Sequence, residues 1–306
     1  MRVLIAGGTG LIGRALCAEL LAAGHVPSVL SRRPERARLP DGVRVWQWDG
    51  RTLGAWRAQV AGADAVVNLA GANIFGGALP RRWTAGRKRV LRESRLAAGR
   101  ALSAAIAEVG HKPAVFVQAS AVGYYGPCGN AEIAEDAPAG DDFLARLAAD
   151  WEETSAPVEA LGVRRVVIRT GIVLSAQGGA LPRLVLPFRA FLGGPLGDGR
   201  QWLPWIHVAD EVGAIRFLLE RDDARGPFNL SAPHPLTNAD FCHTLARVLR
   251  RPCWLRTPAW ALRLALGEMA TLILDGQRAL PRRLSALGYA FCFPHAEDAL
   301  RDLLTR

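Results

Sequence analysis

The first 33 residues constrain the fold more tightly than any other stretch of the chain. An apolar strand, Arg2 to Ala6, runs into Gly7-Gly8-Thr9-Gly10-Leu11-Ile12-Gly13. A helix with apolar Leu11, Ile12, Leu16, Leu20 and Leu21 follows, then a second apolar strand from Val26 to Leu30. Gly7 permits a tight turn out of the strand, Gly10 lets backbone approach a pyrophosphate, and Gly13 lets the helix pack closely on a sheet. The helix N-terminus adds free N–H groups and a partial positive charge. The unit reads as a dinucleotide-binding turn, with Gly7, Thr9, Gly10, Leu11, Ile12 and Gly13 as candidate contacts. A glycine-rich turn without a ligand is the competing reading.

The end of the second strand selects between cofactors. An NAD-specific site usually places Asp or Glu there to take the ribose 2′-hydroxyl. This chain has Ser31-Arg32-Arg33, and no acid appears until Glu35, after Pro34. These three residues suit a 2′-phosphate through charge-assisted contacts, so NADP(H) is expected over NAD(H). Two solvated arginines are the alternative, because the whole chain is arginine-rich.

At 306 residues and 50% hydrophobic, the chain can bury a full core in one large or two modest domains. No apolar run reaches the ~18–20 residues of a membrane span, and a strand starting at residue 2 leaves no room for a signal peptide. A soluble, cytoplasmic protein with no membrane partner is expected. Cys17, Cys128, Cys242, Cys253 and Cys292 show neither a paired motif nor metal-ligand spacing, and the six histidines do not cluster, so no metal is expected. The net charge is +10, and Lys88 and Lys112 are the only lysines. The arginines concentrate locally at Arg81-Arg82 and Arg87-Lys88-Arg89-Arg92. That stretch lacks interleaved stacking aromatics apart from Trp83, so nucleic-acid binding is not expected.

Short apolar strand candidates at Val43–Trp48, Ala65–Leu69, Ala114–Ala119 and Arg165–Arg169 alternate with helical stretches at Leu53–Val60, Trp83–Val109 and Phe143–Leu161. The alternation predicts an α/β fold, a Rossmann doubly wound parallel sheet with helices on both faces. Residues 1–175 form the expected dinucleotide-binding domain, and the chain returns to it at about 203–231 (Trp205–Glu220, Pro227–Ser231). Residues 176–306, broken by Gly178-Gly179, Gly193-Gly194-Pro195 and Gly197-Asp198-Gly199, form a smaller C-terminal substrate lobe over the carboxyl ends of the strands. Pro258–Asp275 has helical spacing and few charges; a buried core helix is favoured over a membrane-surface one.

Several residues at strand ends are placed to face a ligand. Asp49 follows the third strand, where a carboxylate can accept from an adenine amino group or simply make a turn. Asn68-Leu69-Ala70-Gly71 ends the fourth strand with small residues that let backbone run beside a cofactor. Ser120 ends the fifth, followed by Gly123-Tyr124-Tyr125-Gly126. A hydroxyl there would face the nicotinamide and a substrate carbonyl, although serine at a strand end is more often a turn former. Glu135-Asp136, in a Pro/Gly loop, reads as a solvated pair. Trp202 and Trp205 suit either a pocket wall or a core.

Together the glycine fingerprint, Asn68-Leu69-Ala70-Gly71, Ser120 with Tyr125-Gly126, and Trp205-Ile206-His207-Val208-Ala209-Asp210 resemble the extended short-chain dehydrogenase/reductase superfamily. Further motifs resemble its atypical branch of "epimerase family" proteins: Trp83…Lys88…Ser94-Arg95, Arg169-Thr-Gly-Ile-Val-Leu174, Gly197-Asp-Gly-Arg-Gln-Trp202 and Gly267-Glu268-Met269. A tail from Gln277 to Phe291 resembles that branch's own C-terminal domain, at about 252–302. The resemblance implies Ala119, Arg95, Arg169 and Gly171 as further cofactor contacts, and Lys88, Gly179, Arg200 and Trp202 as substrate contacts. It also implies a structural corner at which Asp210 caps or orients a helix, and a monomer or a homodimer built on the helices Trp83–Val109 and Phe143–Leu161.

One departure governs activity. The superfamily's Tyr-x-x-x-Lys pair would fall near Leu144 and Ala148, neither of which can carry a proton. Three readings remain. The first is an NADP(H)-dependent oxidoreductase or epimerase on a small carbonyl, hydroxyl or sugar-nucleotide substrate, with Ser120, Tyr124 and Tyr125 as candidate catalytic residues. The second is an NADP(H)-holding scaffold or redox sensor. The third is a basic interaction protein in which the Rossmann unit is only architecture.

Overall fold

A computed structural model describes residues 1–76 and 82–305; Arg81, part of the basic stretch noted above, lies outside them. The first half runs β1 (Arg2–Ala6), α1 (Leu11–Ala22), β2 (Val26–Ser31), β3 (Arg44–Gln47), α2 (Ala58–Ala61), β4 (Ala65–Asn68), α3 (Ala85–Glu108) and β5 (Val115–Ala121). It continues through a short β6 (Glu132–Ile133), α4 (Phe143–Glu153) and β7 (Arg164–Thr170). The second half runs β8 (Ile172–Ser175), β9 (Gly178–Gly179), α5 (Leu181–Arg189), β10 (Trp202–Leu203), β11 (Trp205–His207), α6 (Val208–Glu220), β12 (Gly226–Leu230), β13 (Leu236–Thr237) and α7 (Asn238–Leu249). The last elements are α8 (Ala259–Leu266), α9 (Thr271–Leu274), β14 (Arg278–Ala279), α10 (Arg282–Ala286) and α11 (Ala296–Leu304).

Seven strands form one sheet in the order β12-β7-β5-β4-β1-β2-β3, every neighbouring pair parallel. Strand alternation divides β1 between two cores. Val3 and Ile5 pack with Leu16 and Leu20 of α1 on one face; Leu4 and Ala6 pack with Leu102 and Ile106 of α3 on the other. Covered on both faces, the strands read as unbroken apolar runs, which is why they were visible in the sequence. Beside β1 the strand order reverses, and that reversal opens a crevice at the strands' carboxyl ends. Gly7 has φ +80°, and a Cβ there would lie 2.6 Å from the Leu69 carbonyl. A Cβ at Gly13 would lie 2.5 Å from Gly7 O. Both positions are closed to any side chain.

The second lobe has its own core, with Trp205 and Phe241 fully buried among Leu181, Phe188, Leu245 and Leu300. The lobes interleave: after β11 and α6 the chain re-enters the main sheet as β12, paired with β7 from Gly226↔Val166 to Leu230↔Thr170. Arg164, buried at the start of β7, donates to the carbonyls of Leu218, Leu219 and Ala224 and so holds the end of α6. Asp210 is fully buried. Its carboxylate accepts from the backbone N–H of Cys292 at 2.7 Å and Phe293 at 2.9 Å, and the Tyr289 hydroxyl donates to its carbonyl. His207, rather than Asp210, caps α6 through Nδ1 and Ala209 N–H. Asp210 instead fastens the C-terminal segment to the nucleotide-binding half.

Three expected elements differ. The stretch 143–161 breaks after Glu153 because Thr154 and Ser155 turn their hydroxyls back onto the carbonyls of Trp151 and Glu152; a 3₁₀ segment, Ala156–Leu161, follows. The stretch 53–60 is a 3₁₀ turn at Ala55–Arg57 running into α2. Pro258–Asp275 is not one buried helix: Met269 and Ala270 are buried, but α8 is not. The stretch divides at Gly267, φ +62°, and the four-residue spacing of Trp260 and Leu264 places both outward at 69% exposure.

Asp210→Ala strands two part-buried N–H donors on the C-terminal segment. It is expected to cost about 3 kcal/mol, read as a fall of several degrees in the thermal midpoint.

Candidate functional site

A cavity of about 470 Å³ opens over the glycine turn, where the two lobes meet. Gly7, Gly10, Leu11, Ile12 and Gly13 form its floor. Leu69 and Arg95 lie on one side, Ala121, Val122 and Gly123 at the end of β5, and Gly171 and Gly179 on the second lobe's side. A Cβ built on Gly10 meets only Gly7 O, at 3.2 Å, so the N-terminus of α1 faces open space. At the end of β2, Ser31 is buried and its Oγ accepts from Arg33 N–H. The Arg32 and Arg33 guanidinium groups are exposed, and neither has a protein partner among the described residues. Arg95 is held across Gly71 by the carbonyls of Ala72 and Leu91, with its guanidinium 4.9 Å from the Trp151 ring. Burial pulls its pKa down to about 10.

Other expected contacts stand elsewhere. Thr9 uses its carbonyl to accept from Arg14, and Ala119 and Ala70 do not reach the cavity wall. Asp49 accepts from Thr52 Oγ1 and from the N–H groups of Thr52 and Arg51, which hold its carboxyl down at about 2; it is a turn carboxylate. Lys88 pairs with Glu268 at 2.5 Å and lies over the Phe143 ring, joining α3 to the segment after α8. Arg200 is exposed and away from the wall, whereas Trp202 lines it and donates to Asn130. Trp205 is core.

The hydroxyl expected to face the cavity does not. Successive residues of β5 point to opposite faces, so Ala121 lines the cavity and Ser120, one position earlier, donates to Glu152 Oε1 at 2.6 Å. Glu152 takes both arms of Arg169, at 2.9 and 3.0 Å. Arg169 also donates to the Tyr125 hydroxyl at 3.0 Å and to Glu135 O. Burial opposes the charge on Arg169, but Glu152 and Tyr125 more than offset it and raise its pKa. Tyr125, raised to about 12 by burial, donates to Asn229 Oδ1 at 2.7 Å. Tyr124 stacks on Arg169, whose guanidinium carbon is 3.6 Å from its ring centre. Glu135 is buried rather than solvated, and accepts from the N–H groups of Asn229 and Arg283. Ser120, Tyr124, Tyr125 and Arg169 therefore belong to a polar cluster behind the cavity.

On the wall itself, Leu144 and Ala148 occupy the α4 positions singled out by spacing. The wall's carboxylates are Asp142 and Asp275. Asp142 caps α4 by accepting from Ala145 N–H. Asp275 has no side-chain partner among the described residues, and its pKa is raised by burial and by Asp142, against the pull of Arg263. Asp275 is not a candidate in the sequence; its place at the end of a stretch with few charges is the one signal that could have found it. Asn73, Gln201 and Gln277 also line the cavity; Gln201 and Gln277 fall within motifs that carry the resemblance but are given no role by it, and nothing in the sequence marked Asn73. Among the described residues no group of three or more His, Cys, Asp or Glu is placed to hold a metal ion.

Thr170, also on the wall, donates to Glu211 at 2.8 Å. Glu211 is fully buried, its second oxygen has no partner, and burial raises its pKa to about 8.

The parallel sheet, its switch-point crevice and the glycine turn define a nucleotide-binding Rossmann protein of the extended kind. A sequence profile for the NAD dependent epimerase/dehydratase family matches residues 3–231, and one for a domain of unknown function (DUF1731) matches residues 257–303. The chain belongs to that epimerase/dehydratase family. It is 39% identical over 306 residues to "Epimerase family protein YfhF" of Bacillus subtilis (99% of this chain, 98% of that one). It is 38% identical to "Epimerase family protein SDR39U1" of Mus musculus (99% and 100%). Among solved structures, human SDR39U1 (isoform 2) with NADPH superimposes with a TM-score of 0.86 at 35% identity, covering 100% of this chain and 99% of that one. UDP-glucose 4-epimerase of Thermus thermophilus with NAD shares the fold, with a TM-score of 0.76 at 20% identity over 100% and 98%. No helix among the described residues is long and apolar enough to cross a membrane.

The folded protein keeps a proton on Glu211 that the unfolded chain releases near 4.5. Stability from this group is full at acid pH, falls as pH rises from about 4.5 to about 8, and is lost above that. Glu211→Gln should flatten this slope: variant and parent melt alike near pH 5, and the variant melts higher at pH 9.

Proposed function

We propose that the protein binds NADP(H) in this cavity and acts as an oxidoreductase or epimerase-like enzyme on a small, largely apolar carbonyl or hydroxyl compound. The observation that carries the reading is the pair of exposed, unpartnered guanidinium groups of Arg32 and Arg33 at the end of β2, beside a glycine turn that faces open space. The residues fit the dinucleotide: Gly10, Leu11 and Ile12 present N-terminal backbone to a pyrophosphate, and Arg32 and Arg33 suit a 2′-phosphate. The relative whose structure holds NADPH supports the same assignment. Bound there, the nicotinamide supplies or accepts a hydride.

The chain's own part is orientation and a proton. Ile74, Phe75, Leu144, Leu203, Leu272 and Ile273 line the cavity and exclude water from the reacting carbon. With Leu144 and Ala148 in place of a tyrosine–lysine pair, Asp275 is the side chain we assign to proton transfer: its raised pKa keeps the acid form available nearer neutral pH than for an ordinary aspartate. Those same two residues favour a second reading, in which the protein holds NADP(H) without turnover and its surface responds to the cofactor.

Fluorescence titration should show NADPH binding at least about tenfold more tightly than NADH, a gap of about 1.4 kcal/mol. Arg32→Ala with Arg33→Ala should erase that preference. Equal affinities in the parent protein would overturn the 2′-phosphate assignment.

Incubation with 4-deuterated NADPH and a small-molecule extract separates the two readings. Label appearing stereospecifically in a metabolite supports turnover, and Asp275→Asn should then slow labelling by roughly 10²-fold with NADPH affinity unchanged. Tight cofactor binding with no label transferred supports the scaffold.

A further inference from the structure

Away from the cavity, the second lobe carries a surface that its own core does not explain. Phe191 and Leu192, just after α5, are 54% exposed; Trp254 is 67% exposed, and Trp260 and Leu264 of α8 are each 69% exposed. Phe191, Leu192 and Trp254 belong to two adjacent stretches stitched by backbone, and α8, with Trp260 and Leu264, follows directly from the second. The N–H groups of Trp254 and Leu255 donate to Gly193 O, the Trp254 indole donates to Phe191 O at 2.9 Å, and Thr257 N–H donates to Pro195 O. The platform is firmly built, because Phe188 and Leu245 beneath it are core. It is also strained. Phe191 (φ 61°) and Arg250 (φ 53°) are the only non-glycine residues with positive φ among those described, and both lie here. Left-handed backbone is costly for a bulky residue and tends to persist at sites of function.

Arginine dominates the charge around these tips, with the exposed acids Asp198 and Glu268 just beyond them. Residues 241–267 contain five arginines and no acid, and residues 181–197 contain two arginines and no acid. Arg189, Arg250, Arg251 and Arg256 are exposed and have no acidic partner among the described residues, while Arg251 lies 4.7 Å over the Phe191 ring.

We infer that this face docks on an anionic lipid surface, with Trp254, Trp260, Phe191 and Leu264 entering the interface and the arginines meeting headgroup phosphates. Tryptophan on a protruding apolar tip, ringed by arginine, is the composition that lies in a membrane interface without spanning it. A second copy fits poorly, since a two-fold contact would bring the unpaired arginines Arg250, Arg251 and Arg256 of both copies together. Nucleic acid would leave the aliphatic tips Leu192 and Leu264 unused.

The test is sedimentation of the full chain with vesicles of phosphatidylcholine alone and of phosphatidylcholine mixed equally with phosphatidylglycerol. Partition into the mixed vesicles only is expected. Trp254→Ser with Trp260→Ser should lower it by about tenfold or more, and Arg250→Glu, Arg251→Glu and Arg256→Glu together should abolish it. The arginine variant lies on exposed positions and should melt as the parent does; Trp254→Ser gives up the indole bond to Phe191 O, so Trp260→Ser alone, which breaks no such bond, should melt as the parent does and still lower partition. No partition into anionic vesicles overturns the inference, as does partition that the tryptophan variant leaves unchanged. A dimer in sedimentation equilibrium that the tryptophan variant dissolves would assign the face to a second copy. Tighter binding to a single-stranded oligonucleotide than to the anionic vesicles would assign it to nucleic acid.

Discussion

The ion pair between Arg169 and Glu152 is the contact on which the cavity's geometry depends. Two buried charges are tolerated in a protein interior only when their remaining hydrogen-bonding capacity is filled. Here Ser120 donates to the acid, while Tyr125 and the Glu135 carbonyl accept from the base. Each partner comes from a different element: Arg169 from β7, Glu152 from α4, Ser120 from β5. Through Asn229, whose side chain reaches the Leu280 carbonyl, the network extends to the C-terminal segment. Removing either Arg169 or Glu152 would leave an uncompensated charge at the junction of all these elements, which is why the pair fixes where the cavity wall stands.

This network consumes the polar residues that sequence reading assigns to chemistry. A serine at a strand end and a following tyrosine are equally consistent with catalysis and with internal bracing. The choice turns on which face of β5 residue 120 occupies, and a run buried on both faces gives no polar alternation to reveal its phase. By contrast, the glycine turn and strand order were legible because sterics admit so few solutions: side chains at Gly7 or Gly13 would collide with fixed backbone. Leu144 and Ala148 line the cavity together, as four-residue spacing on one helix requires.

The misreadings share a physical cause. Lys88, Asp49 and Glu135 all have partners distant in sequence or hidden in loop geometry, and pairing of that kind leaves no local pattern. Residues 258–275 read as core because leucine, alanine and tryptophan at helical spacing look alike whether the apolar face points in or out. Tertiary context decides, and here α8 turns Trp260 and Leu264 away from the protein.

The return of the chain into the main sheet has a consequence for how such proteins can be recombined. Because β12 completes the sheet beside β7, and Arg164 is satisfied only by carbonyls between Leu218 and Ala224, a cut after residue 175 would leave a raw sheet edge and a stranded buried cation. The smallest inheritable unit of this architecture therefore ends near residue 231, where the family's match also stops. Any replacement for the tail after it has to restore the packing of Phe241, Leu245 and Leu300 on Trp205, a carbonyl for Asn229 where Leu280 stands, and two backbone N–H groups for Asp210.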